Sequence, residues 1–404
     1  MILQMRTVPE TPENDARPVF LCQDHTHGHI PRVILYAQTH HTPSGEPISL
    51  LPLLTNDTGV THVIVAAIHL NEGPGNITLN DDPPSANKFN QLWDEVRQLK
   101  AAGVKVMGML GGAAKGSYWR LQGNEEQFEA YYAPLRDLIR RHSLDGLDLD
   151  VEEEISLPTI TRLLSRLRSD FGPSFITTLA PVATAMIPDL RQPPILYTPT
   201  ESAPLQIPHS HAHMSGFNHF ALEAGHGHLV SWYHVQFYNG WGDASNAHFY
   251  DAMVSSGWPA SKIVVGVLTN HRNGGSGWAD VGRLSGVVTA LRSRGLRFGG
   301  VMGWEYFNAG SNEGEEGRDL ACSSRPWEWV KVMGTAARGA IPHVGQGVVG
   351  SAAPPGALPP TQVPWPSADV DKLCELGFGR SNAVAALNAT NGDVETAAVL
   401  LLEQ

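Results

Sequence analysis

Apolar and polar positions along this chain fall into two alternating rhythms. Between about Arg32 and Met333, short runs rich in β-branched residues are followed by longer segments whose apolar residues recur every three to four positions. The short runs predict eight strands: Val33–Gln38, His62–His69, Val104–Leu110, Gly146–Glu152, Phe175–Ala180, His234–Tyr238, Ile263–Leu268 and Gly300–Glu305. The longer segments carry core spacing, as in Phe89, Leu92, Val96 and Leu99 before Gly103, then Phe128, Tyr132, Leu135 and Ile139, then Ile160, Leu163, Leu164 and Leu167. Strands alternating with helices imply parallel pairing through crossovers, and eight such units close most economically into a (β/α)8 TIM barrel, an α/β fold without exposed sheet edges. Chemistry in that fold sits at the C-terminal ends of the strands.

The rhythm stops after the last barrel helix. Residues 341–367 read IPHVGQGVVGSAAPPGALPPTQVPWPS, too dense in Pro and Gly for a helix or a central strand, and predict a semi-extended linker. Residues 368–404 are compact again and predict a small three-helix bundle, with breaks at Gly377–Gly379 and Asn391–Gly392 and with Ser381 and Asp393 as N-caps. The expected organisation is an N-terminal extension (1–30), a barrel (31–340), the linker (341–367) and the bundle (368–404).

Composition narrows the function classes. The 404 residues carry a formal charge of −12, and no basic cluster occurs, which argues against nucleic acid and anionic membranes as partners. No apolar run approaches the ~20 residues of a membrane span, and the first thirty residues lack a secretory apolar core, so the expected location is the cytoplasm. Three separated cysteines, Cys22, Cys322 and Cys374, fit a reduced compartment and form no CxxC metal site.

The fourth strand carries the chemistry. In Asp145-Gly-Leu-Asp148-Leu-Asp150-Val-Glu152, strand parity puts Asp148, Asp150 and Glu152 on one face and Leu147, Leu149 and Val151 on the other. The apolar face belongs against the helices, so the carboxylates turn into the barrel. Mutual repulsion and desolvation then keep at least one protonated near neutral pH, and a protonated acid beside an ionised neighbour suits glycosidic bond cleavage. By the same parity Glu153 faces the helices and Glu154 lies beyond the strand end, which leaves Glu152 as the acid.

The run DGLDLDVE matches DGxDxDxE and resembles the fourth-strand signature of glycoside hydrolase family 18, the family of chitinases and endo-β-N-acetylglucosaminidases. Gln236-Phe-Tyr238-Asn239 is similar to its QxYN element, and Gly303-Trp304-Glu305 ends the eighth strand where the family places a tryptophan under the sugar. Met109-Leu-Gly111-Gly112 resembles SxGG, with Met109 in place of Ser, which leaves the proton sharing between the two aspartates open. The resemblance implies hydrolysis with retention in which the substrate's own 2-acetamido oxygen attacks the anomeric carbon. Glu152 would then act as acid and base, Asp150 orient the acetamido N–H, Asp148 share a proton with Asp150, and Tyr238 hold the acetamido oxygen. Trp304, Gln236, Asn239, Gly111, Gly112 and Trp241 would line the sugar site, with Trp278 a further stacking candidate. No cofactor or metal is expected.

Two alternating histidine runs, His25/His27/His29 and His209/His211/His213, offer a metal-ligand spacing but sit in polar loop sequence without carboxylates. They are read as solvated loops, the second in a connection on the substrate side of the barrel. The C-terminal residues Val370, Leu373, Leu376-Gly377-Phe378, Ala386-Leu387, Gly392–Glu395 and Leu400–Leu402 resemble a ubiquitin-associated (UBA) domain. That resemblance implies ubiquitin or ubiquitinated proteins as partners through Leu376, Gly377, Phe378 and Leu401.

The expected substrate is a GlcNAc-containing oligosaccharide or glycoprotein. The absent leader and the UBA resemblance favour the chitobiose core of cytoplasmic N-glycans over chitin oligomers. A non-catalytic GlcNAc-binding barrel and a ubiquitin adaptor are the readings from other classes.

Overall fold

The structure, a computed structural model, describes residues 30–188, 213–294, 296–310, 323–339 and parts of 367–404. The chain divides into two compact units, Met1–Pro342 and His343–Gln404. Among the described residues the first holds nine strands: β1 (Arg32–Ala37), β2 (His62–Leu70), β3 (Ile77–Leu79), β4 (Lys105–Gly111), β5 (Gly146–Asp150), β6 (Ile176–Leu179), β7 (Trp232–Gln236), β8 (Ile263–Leu268) and β9 (Gly300–Trp304). Eight of them pair in parallel around a closed ring in which β1 bonds to both β2 and β9. This is the (β/α)8 barrel. The ninth, β3, was not anticipated; it pairs antiparallel along the end of β2, Ile68 opposite Leu79, and its three residues are too few to show a period.

Two apolar layers follow from strand parity. Outward-facing residues such as Val63, Leu147, Leu149 and Val235 join the helices in one large core. Ile34, Tyr36, Ile64, Met107, Met109, Trp232, Val264 and Met302 fill the lumen. Residues 157–171 form a helix because Ser156 caps it, Pro158 sits in its first turn, and Ile160, Leu163, Leu164 and Leu167 bury one stripe. Over 125–141, Asn124 supplies the cap, while Glu125 and Glu126 at the start and Arg140 and Arg141 at the end complement the helix dipole.

Two strand ends differ from the expected ones in a way that matters. β5 stops at Asp150, where its carbonyl accepts the Gly112 N–H at 2.9 Å, so Val151 and Glu152 lie beyond the ladder. β7 begins at Trp232 and stops at Gln236, which leaves Tyr238 on the loop above the barrel mouth.

In the second unit, Ser367–Glu375 is helical, and Val370, Leu373, Ala383, Leu387 and Ala397 are buried together, flanked by Cys374, Val394 and Ala398. The predicted ubiquitin-contacting residues Leu376, Gly377, Phe378 and Leu401 lie outside the described residues, as do the extension (1–29) and 340–366, nearly all of the predicted linker. No helix among the described residues is long and apolar enough to cross a membrane.

Candidate active site

The carboxylates of β5 stand in the barrel lumen as parity required. Asp148 is fully buried and Asp150 nearly so, whereas Glu152 reaches the partly open mouth. Asp148 is the more firmly held. Its Oδ2 accepts the Tyr36 hydroxyl at 2.5 Å, and its Oδ1 accepts the Thr178 hydroxyl at 2.6 Å and lies 3.0 Å from His234 Nδ1. Asp150 receives one amide N–H, from Gln236 Nε2 at 3.1 Å; the same nitrogen also donates to the Ala180 carbonyl at 2.9 Å.

Burial, then the charges of Glu152 and Asp148, hold the Asp150 carboxyl well above the usual carboxylate range, against the hydrogen bond from Gln236. Burial also raises Glu152, opposed by a hydrogen bond from Gln236 and by the charge of Lys115. Burial and the three carboxylates raise the Tyr238 phenol well above its ordinary value, so it remains an O–H donor beside them. The mouth therefore brings together two carboxyls held above their ordinary range and a phenol donor.

Gly111 and Gly112 explain why the β4 turn lies so close to Asp150. Both have positive φ, 94° and 91°. A Cβ on Gly111 would sit 2.4 Å from the Asp150 carbonyl oxygen, and one on Gly112 would lie 3.5 Å from Asp150 Oδ2 and 2.9 Å from Met109 Cε. Their role is close approach of backbone to carboxylate. Met109 itself is buried and is the register partner of Asp148, to which it offers no donor.

Trp304 ends β9 half-buried, edge-on to Tyr36 with ring centroids 5.4 Å apart. The next residue, Glu305, ties the loop after β1 to this point: its carboxylate accepts Gln38 N–H at 3.1 Å, Thr39 N–H at 2.8 Å and the Thr39 hydroxyl at 2.8 Å. Trp241 stands edge-on to His213 at 5.0 Å, and His213 Nε2 lies 3.0 Å from the Thr184 hydroxyl. His213 also lines a small cavity with Glu152 and Gln236, so the one described member of the histidine runs reaches the site. Trp278 is 40 % exposed and follows Gly277, which packs against the Tyr238 backbone.

Asn239 does not join the cluster. Its backbone is left-handed, φ 57°, which turns the exposed side chain to accept the Gly275 N–H at 2.8 Å. It shapes the loop that carries Trp278.

Glu153 behaves as parity predicts, facing away from the lumen, where its carboxylate accepts the Gly116 and Tyr118 N–H groups. Asp145 supports the entry to β5 by accepting the Val106 N–H at 2.9 Å and pairing with Lys100 at 2.8 Å.

Four residues escaped the sequence reading: Tyr36, Thr178, His234 and Glu305. For His234 a signal existed, because it shares inward parity with Gln236 and Tyr238. Thr178 reaches Asp148 as its register partner on β6, and Tyr36 on β1 meets it across the lumen of the closed ring.

At the ends of β1 and β2 runs a groove of about 950 Å³ lined mainly by polar side chains, among them Asn71, Asn76, Asn80, Asp82 and His69. Its one ring of Phe, Tyr or Trp type is Phe89, itself buried. No group of three or more metal-ligating side chains occurs among the described residues.

Comparison with known proteins agrees with this geometry. The family model for glycosyl hydrolases family 18 matches residues 32–277, and that for the UBA/TS-N domain matches 366–401. The chitinase ChiC from Aspergillus fumigatus is 49 % identical, covering 74 % of this chain and 96 % of its own, with a TM-score of 0.63. A fungal endo-β-N-acetylglucosaminidase of family 18 is 40 % identical, covering 77 % of this chain and 99 % of its own, with a TM-score of 0.66. An acidic endochitinase from Phaseolus angularis is 26 % identical over 246 residues, 57 % of this chain and 70 % of its own. With the DGLDLDVE carboxylates inside a closed parallel barrel and the family match spanning most of that barrel, the chain belongs to glycosyl hydrolases family 18, as a family-18 glycosidase that also carries a UBA domain.

Proposed function

We propose that the barrel hydrolyses GlcNAc-β-1,4-GlcNAc bonds with retention by substrate-assisted catalysis, and that its substrate is the chitobiose core of N-glycans on cytoplasmic glycoproteins. The observation that carries the reaction class is the placement of Asp150 and Glu152 on the lumen side at the end of β5, with Glu152 at the partly open mouth and both carboxyls held above their ordinary range by burial. Glu152, raised by burial yet reachable, protonates the leaving oxygen and afterwards takes a proton from water. The acetamido oxygen of the substrate attacks the anomeric carbon in place of an enzyme nucleophile. Asp150 orients the acetamido N–H and, with Asp148 behind it, offsets the positive charge of the oxazolinium intermediate. Tyr238 donates its hydroxyl to the acetamido oxygen and holds it in line, a proximity effect. Trp304 supplies the ring under the sugar, and Trp278 and Trp241 flank the approach.

The polar groove supports the N-glycan reading over chitin. Linear GlcNAc polymers offer apolar sugar faces that stack on exposed rings, whereas a groove of amides, carboxylates and imidazoles suits the dense hydroxyls of branched mannose. The likeness to the fungal endo-β-N-acetylglucosaminidase agrees with it. Chitin oligosaccharides are the second reading, favoured by the higher identity to ChiC. The UBA domain supports delivery to ubiquitinated, exported glycoproteins.

The test is incubation of the full chain with a high-mannose glycopeptide and with a chitooligosaccharide, followed by mass spectrometry. Release of a glycan bearing one terminal GlcNAc supports the proposal. Cleavage of the oligomer alone selects the second reading, and cleavage of neither removes both. In a ubiquitin pull-down, Phe378→Ala is expected to abolish capture while glycosidase activity persists.

A further inference from the structure

His234 is completely buried in the lumen, and its two ring nitrogens face partners of opposite kind. Nε2 lies 2.7 Å from Trp232 Nε1, and an indole N–H can only donate. Nε2 must therefore present its lone pair, which makes the imidazole neutral and places its hydrogen on Nδ1. Nδ1 in turn lies 3.0 Å from Asp148 Oδ1 and 3.0 Å from the Tyr36 hydroxyl, whose own hydrogen goes to Asp148 Oδ2.

We propose that His234 is a positioning residue: fixed by Trp232 as the neutral Nδ1–H tautomer, it donates to Asp148 and keeps that side chain a carboxylate, so that the proton of the aspartate pair resides on Asp150. The proposal rests on the roles given above to Asp150 and Glu152, and it settles what Met109 left open. Asp148 collects three donated hydrogen bonds, from Tyr36, Thr178 and His234, against one amide N–H for Asp150. Hydrogen bonds to the charged form favour that form. Met109, opposite Asp148 where the family signature has Ser, offers no donor, and His234 on β7 supplies one instead.

The groups around His234 come from several neighbouring strands. From β1, Arg32 lies over the Trp232 ring, 4.0 Å from its centroid, and Tyr36 stands edge-on to His234. From β2, His62 packs edge-on against Trp232 at 5.0 Å and is pushed down to about 3 by burial and by Arg32. β5 contributes Asp148 and, one inward position further along, Asp150. The facing lumen residues Met107, Met109, Val264 and Met302 are apolar, so no cation stands among them to compete for Asp148.

The decisive experiment is a long-range ¹H–¹⁵N spectrum of the full chain labelled at histidine, with His234 assigned by its absence from the His234→Asn spectrum. The expected result is protonated Nδ1 and unprotonated Nε2, unchanged between about pH 5 and pH 8, the range in which an ordinary imidazole titrates. A proton on Nε2, or an imidazolium anywhere in that range, overturns the proposal. A second arm reads the pH profile of kcat/KM. His234→Phe, which fills the ring volume without a donor, is expected to move the acid limb up by about one to two pH units. His234→Asn, whose amide nitrogen occupies the Nδ1 position, restores the limb. Equal losses in both variants with the limb unmoved would mark His234 as mere packing and sink the idea. The spectrum needs no substrate, so failure of this proposal is distinguishable from failure of the proposed activity.

Discussion

Tyr36→Phe removes the phenol oxygen that faces Asp148 and His234. The phenol oxygen lies 2.5 Å from Asp148 Oδ2, and Tyr36 is the one donor to that oxygen among the described residues. The ring has its own tasks, edge-on to Trp304 at 5.4 Å and to His234 at 5.7 Å, and phenylalanine preserves both. The substitution therefore opens no cavity; it removes the buried, charge-assisted hydrogen bond to Asp148 together with the 3.0 Å contact between the phenol oxygen and His234 Nδ1. Such bonds contribute about 1.5–3 kcal/mol. If that stabilisation of the Asp148 carboxylate is needed throughout the reaction, kcat/KM falls by roughly 10- to 150-fold, at about 1.36 kcal/mol per factor of ten. The assay is kcat/KM on a fluorogenic GlcNAc oligosaccharide across the pH range, with thermal unfolding as a control for packing. A change below twofold at every pH would refute the assignment of Tyr36 to the charge of Asp148.

Asp150→Asn is expected to stabilise the fold while impairing the reaction. The native state holds the Asp150 proton well above the ordinary carboxylate range, whereas the unfolded chain releases it within that range. The native form then binds more protons than the unfolded one, so the wild type loses stability as pH rises. Asparagine carries no such cost, and its Tm advantage should be larger at about pH 7 than at about pH 4; an advantage that does not grow with pH would contradict the account. Glu153→Ala removes the acceptor for the Gly116 and Tyr118 N–H groups and should cost about 1–3 kcal/mol in denaturant unfolding, with the shape of the pH–rate profile retained. An unchanged unfolding midpoint would show that water satisfies those amides.

The parts of the site that one strand determines were legible from its residues. Alternation along β5 told Asp148 and Asp150 from Leu147 and Leu149, and it separated Glu152 from Glu153, because a side-chain period of two leaves little freedom once one face must be apolar. What alternation could not supply was the company Asp148 keeps. Tyr36, Thr178 and His234 come from three other strands: Thr178 is the register partner of Asp148 on the neighbouring β6, while Tyr36 on β1 and His234 on β7 lie on strands that do not pair with β5 and meet it across the lumen of the closed ring. Pattern also misplaced the strand ends: Glu152 and Tyr238 lie past the ladder, Glu152 half-buried and Tyr238 buried. Asn239 was grouped with Gln236 and Tyr238 by its motif, yet a positive φ turns it outward, a backbone property that residue type does not announce.

The central claim is that Glu152, at the mouth of the barrel, is the acid and base of glycosidic cleavage. It is tested most directly by kcat of Glu152→Gln beside the wild type on a GlcNAc-β-1,4-GlcNAc substrate. The account predicts a loss of at least about 10²- to 10⁴-fold with KM little changed, since the glutamine keeps the shape but cannot deliver a proton. Turnover by the variant at the wild-type rate would contradict it.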